Sequence, residues 1–267
     1  MSQIGKFTQP DHSDDPRYFI TFLDLVDSFP DMPEIHARSL KQMRLQPGSR
    51  GLDVGCGTGT AVRRIADQVG PEGKACGVDI SEIMLTEAAA RANGRGNIEF
   101  LRGEAYSLPH ENATFDAVRM ERVLPYVPDR IRAIQEMMRV TRPGGRIVVT
   151  DVDIEGTAIY SRDRALTRKM TALVADTFPH PTAGRDLRSL MRAAGLEDIG
   201  VEFMALSSPY EFCVQSTRGT LHAAVEAGKV SRHEVEEWYR GLAELEESGD
   251  FLQLWSFVIV GGTVPAK

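Results

Sequence analysis

Three cysteines in 267 residues (Cys56, Cys76 and Cys213) are too few and too scattered for a disulfide framework or a zinc site. No metal is expected, and a reducing, cytoplasmic setting suits the three thiols. No apolar run approaches the roughly 18 residues that a membrane span needs. The N-terminus is polar and acidic, unlike a signal peptide, so neither a membrane partner nor secretion is expected. Basic residues are also in deficit: 31 Lys and Arg stand against 38 Asp and Glu, a formal net charge of −7. They are scattered along the chain, whereas a nucleic-acid partner requires a concentrated Lys/Arg face. Internal repeats and low-complexity tracts are missing too. What remains, 42% hydrophobic and 26% charged residues, suits one large soluble α/β domain with at most a modest extra lobe.

Residues 1–15 are polar and read as loose. Between 18 and 43 the pattern suggests two helices, split near Phe29-Pro30-Asp31-Met32-Pro33. Strands and helices then alternate. Strands are expected at 52–54, 74–78, 98–102, 117–120 and 147–149, and helices at 60–69, 81–92 (capped by Ser81) and 131–140. The turn Thr141-Arg142-Pro143-Gly144-Gly145 leads into the fifth strand. This alternation implies a doubly wound, mostly parallel sheet that binds ligands at the strands' carboxyl ends. After Asp151 the rhythm changes. Helices near 160–176 and 185–194 precede a sixth strand at 199–206, and a helical stretch at 215–246 precedes a seventh at 252–260. A connection of that length is rarely idle in a compact domain. Residues 1–45, 154–182 and 208–248 therefore read as a helical cap over the sheet's carboxyl edge. The other reading of the same helices is a simple cover for the sheet, or a face for a homodimer.

The most informative stretch is Gly51-Leu52-Asp53-Val54-Gly55-Cys56-Gly57-Thr58-Gly59, a strand running into a glycine-packed turn with a helix directly after it. Three glycines in five residues there are best explained by a ligand pressed against the backbone. The dinucleotide pattern asks for glycine at the first, third and sixth positions. Counted from Gly55, the sixth is Thr60.

The segment resembles the fingerprint of class I S-adenosylmethionine (SAM)-dependent methyltransferases, of the small-molecule type seen in ubiquinone and menaquinone biosynthesis. The likeness spans about residues 45 to 155. It implies a Rossmann-like, doubly wound, mostly parallel seven-stranded α/β sheet with helical cap insertions, with residues 46–267 forming the SAM-binding domain. It also implies SAM as cofactor and S-adenosylhomocysteine (SAH) as product. Asp53 would hold the methionine ammonium, directly or through water, and Gly55, Cys56, Gly57, Thr58 and Gly59 would let the backbone pass close to the ligand. Asp79, ending the second strand, would accept from both ribose hydroxyls; read alone, it is equally a helix-capping acid. Gly103, Glu104 and Ala105 match the position beside adenine, with Glu104 accepting from the exocyclic amine. Ile80 and Met84 would pack on the adenine or ribose, and Met120 and Glu121 complete the cofactor set.

On the acceptor side the family pattern is incomplete. Relatives that methylate hydroxyls carry a histidine pair where this chain has Pro125-Tyr126, so that general base is missing. Asp151 matches the acid that ends the fifth strand, and it serves as base or orienter, or else as a structural acid. Tyr126 is a hydrogen-bond donor beside it. His180, in the stiff loop Phe178-Pro179-His180-Pro181, is a further catalytic candidate, with a packing role as the alternative. Leu124-Pro125-Tyr126 lacks the polar residue that nucleobase and amide methylation would require. Arg38 and Tyr18 are candidates for closing over the methionine carboxylate or the acceptor. The aromatics Phe178, Tyr210, Phe212, Trp238 and Tyr239 suit an apolar small-molecule pocket, or plain helix packing. The expected activity is methyl transfer to a small-molecule acceptor, with O-methylation favoured over N- or C-methylation. The rivals keep the SAM site but catalyse cyclisation or decarboxylation, or do not turn over at all.

Overall fold

The structure, a computed structural model, describes residues 10–13 and 15–266. The expectation of a loose N-terminus thus falls largely outside the described residues. Seven strands form one sheet in the order β3-β2-β1-β4-β5-β7-β6. The five strands β1 (Arg50–Val54), β2 (Lys74–Asp79), β3 (Ile98–Arg102), β4 (Phe115–Glu121) and β5 (Thr141–Ile159) are parallel. β6 (Glu197–Ser208) and β7 (Gln253–Thr263) close the sheet as an antiparallel pair. This is the α/β, doubly wound, seven-stranded arrangement that the βα alternation predicts.

Why these segments fold so is local. The central strands are near-continuous apolar runs because both sheet faces are covered. One face packs Val118, Met120, Ile147 and Val149 against α5 (Arg130–Val140) and α7 (Ala183–Ala194). The other packs Ala117, Val148 and Ile259 against α1 (Arg17–Asp27), α2 (Met32–Gln42) and α3 (Thr60–Val69). α4 (Glu82–Ala92) is started by Ser81, whose hydroxyl accepts from the Met84 N–H at 3.2 Å. Asp11, in a short 3-10 turn at Pro10–His12, reaches the same helix end and accepts from the Glu82 N–H at 2.8 Å.

Two expected boundaries are corrected. The turn 141–145 is absorbed into β5 as an irregularity opposite Phe115 and Ala117, where Gly144 takes φ +75 and its N–H donates to the Val264 carbonyl. Residues 154–159, read from the sequence as cap, continue β5. The Asp153 carboxylate accepts from the Gly156 N–H at 3.1 Å and shifts the register before the strand resumes pairing with β7 at Ala158.

α6 (Arg164–Ala175), α8 (Tyr210–Glu226) and α9 (Arg232–Ser248) form a lobe with its own core of Met170, Cys213, Leu221, Trp238 and Leu242. The helical stretch expected at 215–246 is two helices, because Gly228 turns the chain at φ +69 and Ser231 caps α9. The Ser231 hydroxyl accepts from the Glu234 N–H, and the Glu234 carboxylate returns the contact to the Ser231 N–H. Ser231→Ala should cost about 1 kcal/mol, read as a fall of roughly 2–4 °C in the thermal midpoint of a chain this size.

Candidate functional site

A cavity of about 430 Å³ opens at the carboxyl ends of β1, β2 and β4, under α1. Of the residues expected to hold the cofactor, Asp53, Gly55, Cys56, Gly57, Thr58, Asp79, Ile80, Met84, Gly103, Glu104, Ala105 and Glu121 all line it. The turn is organised by Asp79. Its carboxylate accepts from the Gly57 N–H at 2.8 Å and from the Ser81 N–H at 2.9 Å, and Gly57 meets it in the left-handed region at φ +49. Burial pushes the Asp79 carboxyl up, and these backbone donors only partly offset the rise. The Cys56 thiol is driven well above its ordinary range, first by burial and then by Asp79 and Asp53, so it is a neutral wall of the cavity and no nucleophile.

Two expected cofactor residues do not line the cavity. Gly59 takes φ +74 as the N-cap of α3 and lies below the turn, where a Cβ would press on Phe100 and Ala88. Met120 is fully buried in the core on the opposite sheet face, because side chains alternate along β4.

That same alternation places Arg119 and Glu121 in the cavity. Asp53 and Arg119 are register partners on β1 and β4, and the Arg119 guanidinium donates to Asp53 Oδ1 at 3.2 Å and to Glu121. Asp53, expected to hold an ammonium directly or through water, is also shared with a buried arginine. Desolvation still raises its carboxyl to about 6 despite Arg119. Glu121 goes the other way: burial alone would raise it, but His36, Arg119 and Arg122 hold it below the ordinary carboxylate range. Arg122 sits just past β4 with its backbone at φ +57, in the left-handed region that side-chain-bearing residues adopt uncommonly. It pairs with Asp27 at 3.0 Å and with Glu121 at 3.4 Å.

Four members of this cluster, Asp27, His36, Arg119 and Arg122, were not among the sequence candidates. A signal for His36 was available: Met32, Ile35, His36 and Ser39 all face inward at helical spacing on α2. Arg38, the sequence candidate on that helix, points outward to Glu34 and Glu202. Tyr18 stacks on Phe22 without lining the cavity.

A second cavity of about 100 Å³ adjoins the first and shares Phe22, Arg122 and Tyr126 with it. Its walls are almost wholly apolar, with Phe29, Phe178, Phe212 and Trp255 among them. Asp151 also lines it and is fully buried. Asp151 Oδ2 accepts from the Leu124 N–H at 3.3 Å, whereas Oδ1 has no hydrogen-bond partner among the described residues. Burial drives this carboxyl well above its ordinary range, and the nearby Glu121 adds to the rise. Burial, with Asp151 contributing, raises the Tyr126 phenol too, so the phenol keeps its proton and is a donor rather than a base. His180 is half-buried and lines neither cavity, so the loop expectation is not met by the geometry. The cap aromatics divide. Phe178 and Phe212 face the second cavity, while Trp238 and Tyr239 belong to the lobe, bonded to Thr167 and Thr217. No group of His, Cys, Asp and Glu suited to a metal ion occurs among the described residues, and no described helix is long and apolar enough to cross a membrane.

A parallel sheet closed by an antiparallel pair, with an acid-lined glycine turn ahead of α3, defines a nucleoside-cofactor site of the methyltransferase kind. The family model described as "Methyltransferase domain" matches residues 45–195, and the chain belongs to the class I SAM-dependent methyltransferases. It is 42% identical over 111 residues to the demethylmenaquinone methyltransferase of Geobacillus kaustophilus, covering 41% of this chain and 47% of that protein. It is 34% identical over 193 residues to the enzyme of the same name from Geobacillus stearothermophilus, covering 66% and 80%. Among solved structures, the [4+2]-cyclase SpnF superposes with a TM-score of 0.57 at 27% identity, covering 88% of this chain and 82% of that one. The chain spans about half the length of the first curated relatives it matches.

Proposed function

We propose that this chain transfers the methyl group of SAM to a small, neutral, largely apolar acceptor held in the second cavity. The observation that carries the reading is Asp151: a buried carboxyl with one oxygen unpartnered among the described residues, in a largely apolar pocket that shares three residues with the cofactor cavity. The cofactor cavity fits SAM by its chemistry. Asp79 and Glu104 face one end, suited to a ribose diol and an adenine amine. The carboxylates of Asp53 and Glu121 face the other, suited to an ammonium, near the N-terminus of α3. Ile80 and Met84 supply apolar walls for the adenine.

Bound SAM supplies a methyl group on an electrophilic sulfonium, so the protein's main task is alignment in a site closed to water. Phe22 and Tyr126, at the junction of the cavities, hold the acceptor toward that methyl. Asp151 Oδ1 takes the proton of an acceptor hydroxyl or enol as the new bond to carbon forms, whether the methyl arrives on that oxygen or on the adjoining carbon. An anionic acceptor is disfavoured: Arg122 is the one cation among the described residues lining the second cavity, and Asp27 and Glu121 already engage it. The relatives named for demethylmenaquinone agree with an apolar acceptor.

The test is SAH release from a panel of neutral phenols, quinols and hydroxylated lipids, alongside phosphorylated counterparts. Turnover confined to the neutral compounds supports the reading. Acceptor consumed without SAH would replace it with the ring-forming chemistry after which the SpnF neighbour is named.

A further inference from the structure

At the methionine end of the cofactor cavity, six charged or titratable groups converge from five parts of the fold. They are Asp53 on β1, Arg119 and Glu121 on β4, Arg122 just beyond it, Asp27 on α1 and His36 on α2. His36 is 3% exposed. Its Nε2 faces Asp27 Oδ1 at 3.6 Å and its Nδ1 faces Glu121 Oε2 at 3.7 Å. Both distances exceed a hydrogen bond, and neither ring nitrogen has any other partner among the described residues. A neutral imidazole carries one N–H and would turn a lone pair toward one of the two carboxylates. The imidazolium turns an N–H toward each.

The charge count then depends on this one ring. At this end of the cavity the three carboxylates of Asp27, Asp53 and Glu121 and the two guanidinium groups leave one negative charge, which an imidazolium cancels; Asp79 and Glu104 add theirs at the other end. SAM carries one net positive charge, from its sulfonium, whereas SAH is a neutral zwitterion. An uncompensated charge in a buried site is costly, and an imidazolium can shed a proton where a guanidinium cannot.

We propose that His36 balances the charge at the methionine end of the cofactor cavity, giving up its proton when SAM enters and regaining one when the sulfonium becomes the thioether of SAH. The proposal rests on the SAM-binding reading above. It makes His36 a positioning residue that favours substrate over product: deprotonated, it leaves the cluster net negative for the cation, and reprotonated, it removes that attraction. Asp53, raised to about 6, is mostly ionised above pH 7, where this exchange is read.

The test is isothermal titration of the full chain with SAM and with SAH, between pH 7 and 8, in buffers of differing ionisation enthalpy. SAM binding should release up to about one proton, and SAH markedly less. The ratio of SAM to SAH affinity should then rise with pH, by up to about tenfold per unit for the exchange of one proton. In His36→Gln and His36→Asn the release should vanish and the ratio should become flat, with SAH binding reporting an intact site. Equal proton release for SAM and SAH in the unaltered chain would overturn the proposal, and so would release that persists in either variant. Failure of both ligands to bind would instead remove the cofactor reading beneath it.

Discussion

Asp79→Ala should weaken the binding of SAM and SAH together by roughly 2–3 kcal/mol, about 30- to 150-fold. The size follows from the two tasks of one carboxylate. It faces the cavity where a ribose diol would lie, and it fixes the glycine turn by accepting from the Gly57 and Ser81 N–H groups. Alanine removes the ligand's acceptor and leaves both N–H groups to find water. Asp79→Asn keeps a carbonyl for one of them and should lose no more than about tenfold, because hydrogen bonds to a charged acceptor are worth about twice neutral ones. Titration calorimetry reads both variants. Unchanged affinity in the alanine variant would remove Asp79 from the ligand and leave it as the turn's internal brace.

Most of the residues that line the first cavity were legible in the sequence because they are local. A strand, a glycine turn and a helix N-terminus lie within ten residues, and Asp79 and Glu104 follow at the ends of the next two strands. The errors came where residue identity had to be combined with which side of an element faces the ligand. Met120 and Arg119 are neighbours in β4, yet one lies in the core and the other in the cavity; only the register Asp53–Arg119 settles which. His36 and Asp27 join the site through the packing of α1 and α2 on the sheet, which no motif encodes, although the inward stripe on α2 marks His36 as buried. The acceptor side was the least legible. Its walls come from α1, β5, β6, β7, α8 and the loop at Phe178, so their convergence is a property of topology alone. His180 was singled out for its loop and its chemistry, and the fold turns that loop's phenylalanine inward instead.

Asp151→Asn should lower kcat by about 10²–10⁴-fold, the usual contribution of a positioned proton acceptor, while SAM affinity stays within about twofold. Asparagine is nearly isosteric, and its side-chain carbonyl can still accept from the Leu124 N–H, so the cavity should keep its shape. The variant should also separate chemistry from stability. The Asp151 carboxyl lies well above its ordinary range in the folded chain because burial penalises the charge. A folded-state value above the unfolded one means that the folded chain binds the extra proton. The group's favourable contribution is therefore complete below the unfolded value, near 4, and is lost as pH rises through the raised one. Asparagine carries no such penalty, so Asp151→Asn should match the unaltered chain in acid and become the more stable of the two toward neutral and alkaline pH. Activity should move oppositely: in the unaltered chain kcat should climb as Asp151 ionises, and that limb of the pH profile should disappear in the variant. Thermal melts and a pH–rate profile on the same two proteins test both statements. Loss of activity with parallel melting curves at every pH would refute the raised carboxyl. A gain in stability with kcat unchanged would make Asp151 a buried structural acid and require another proton acceptor in the second cavity.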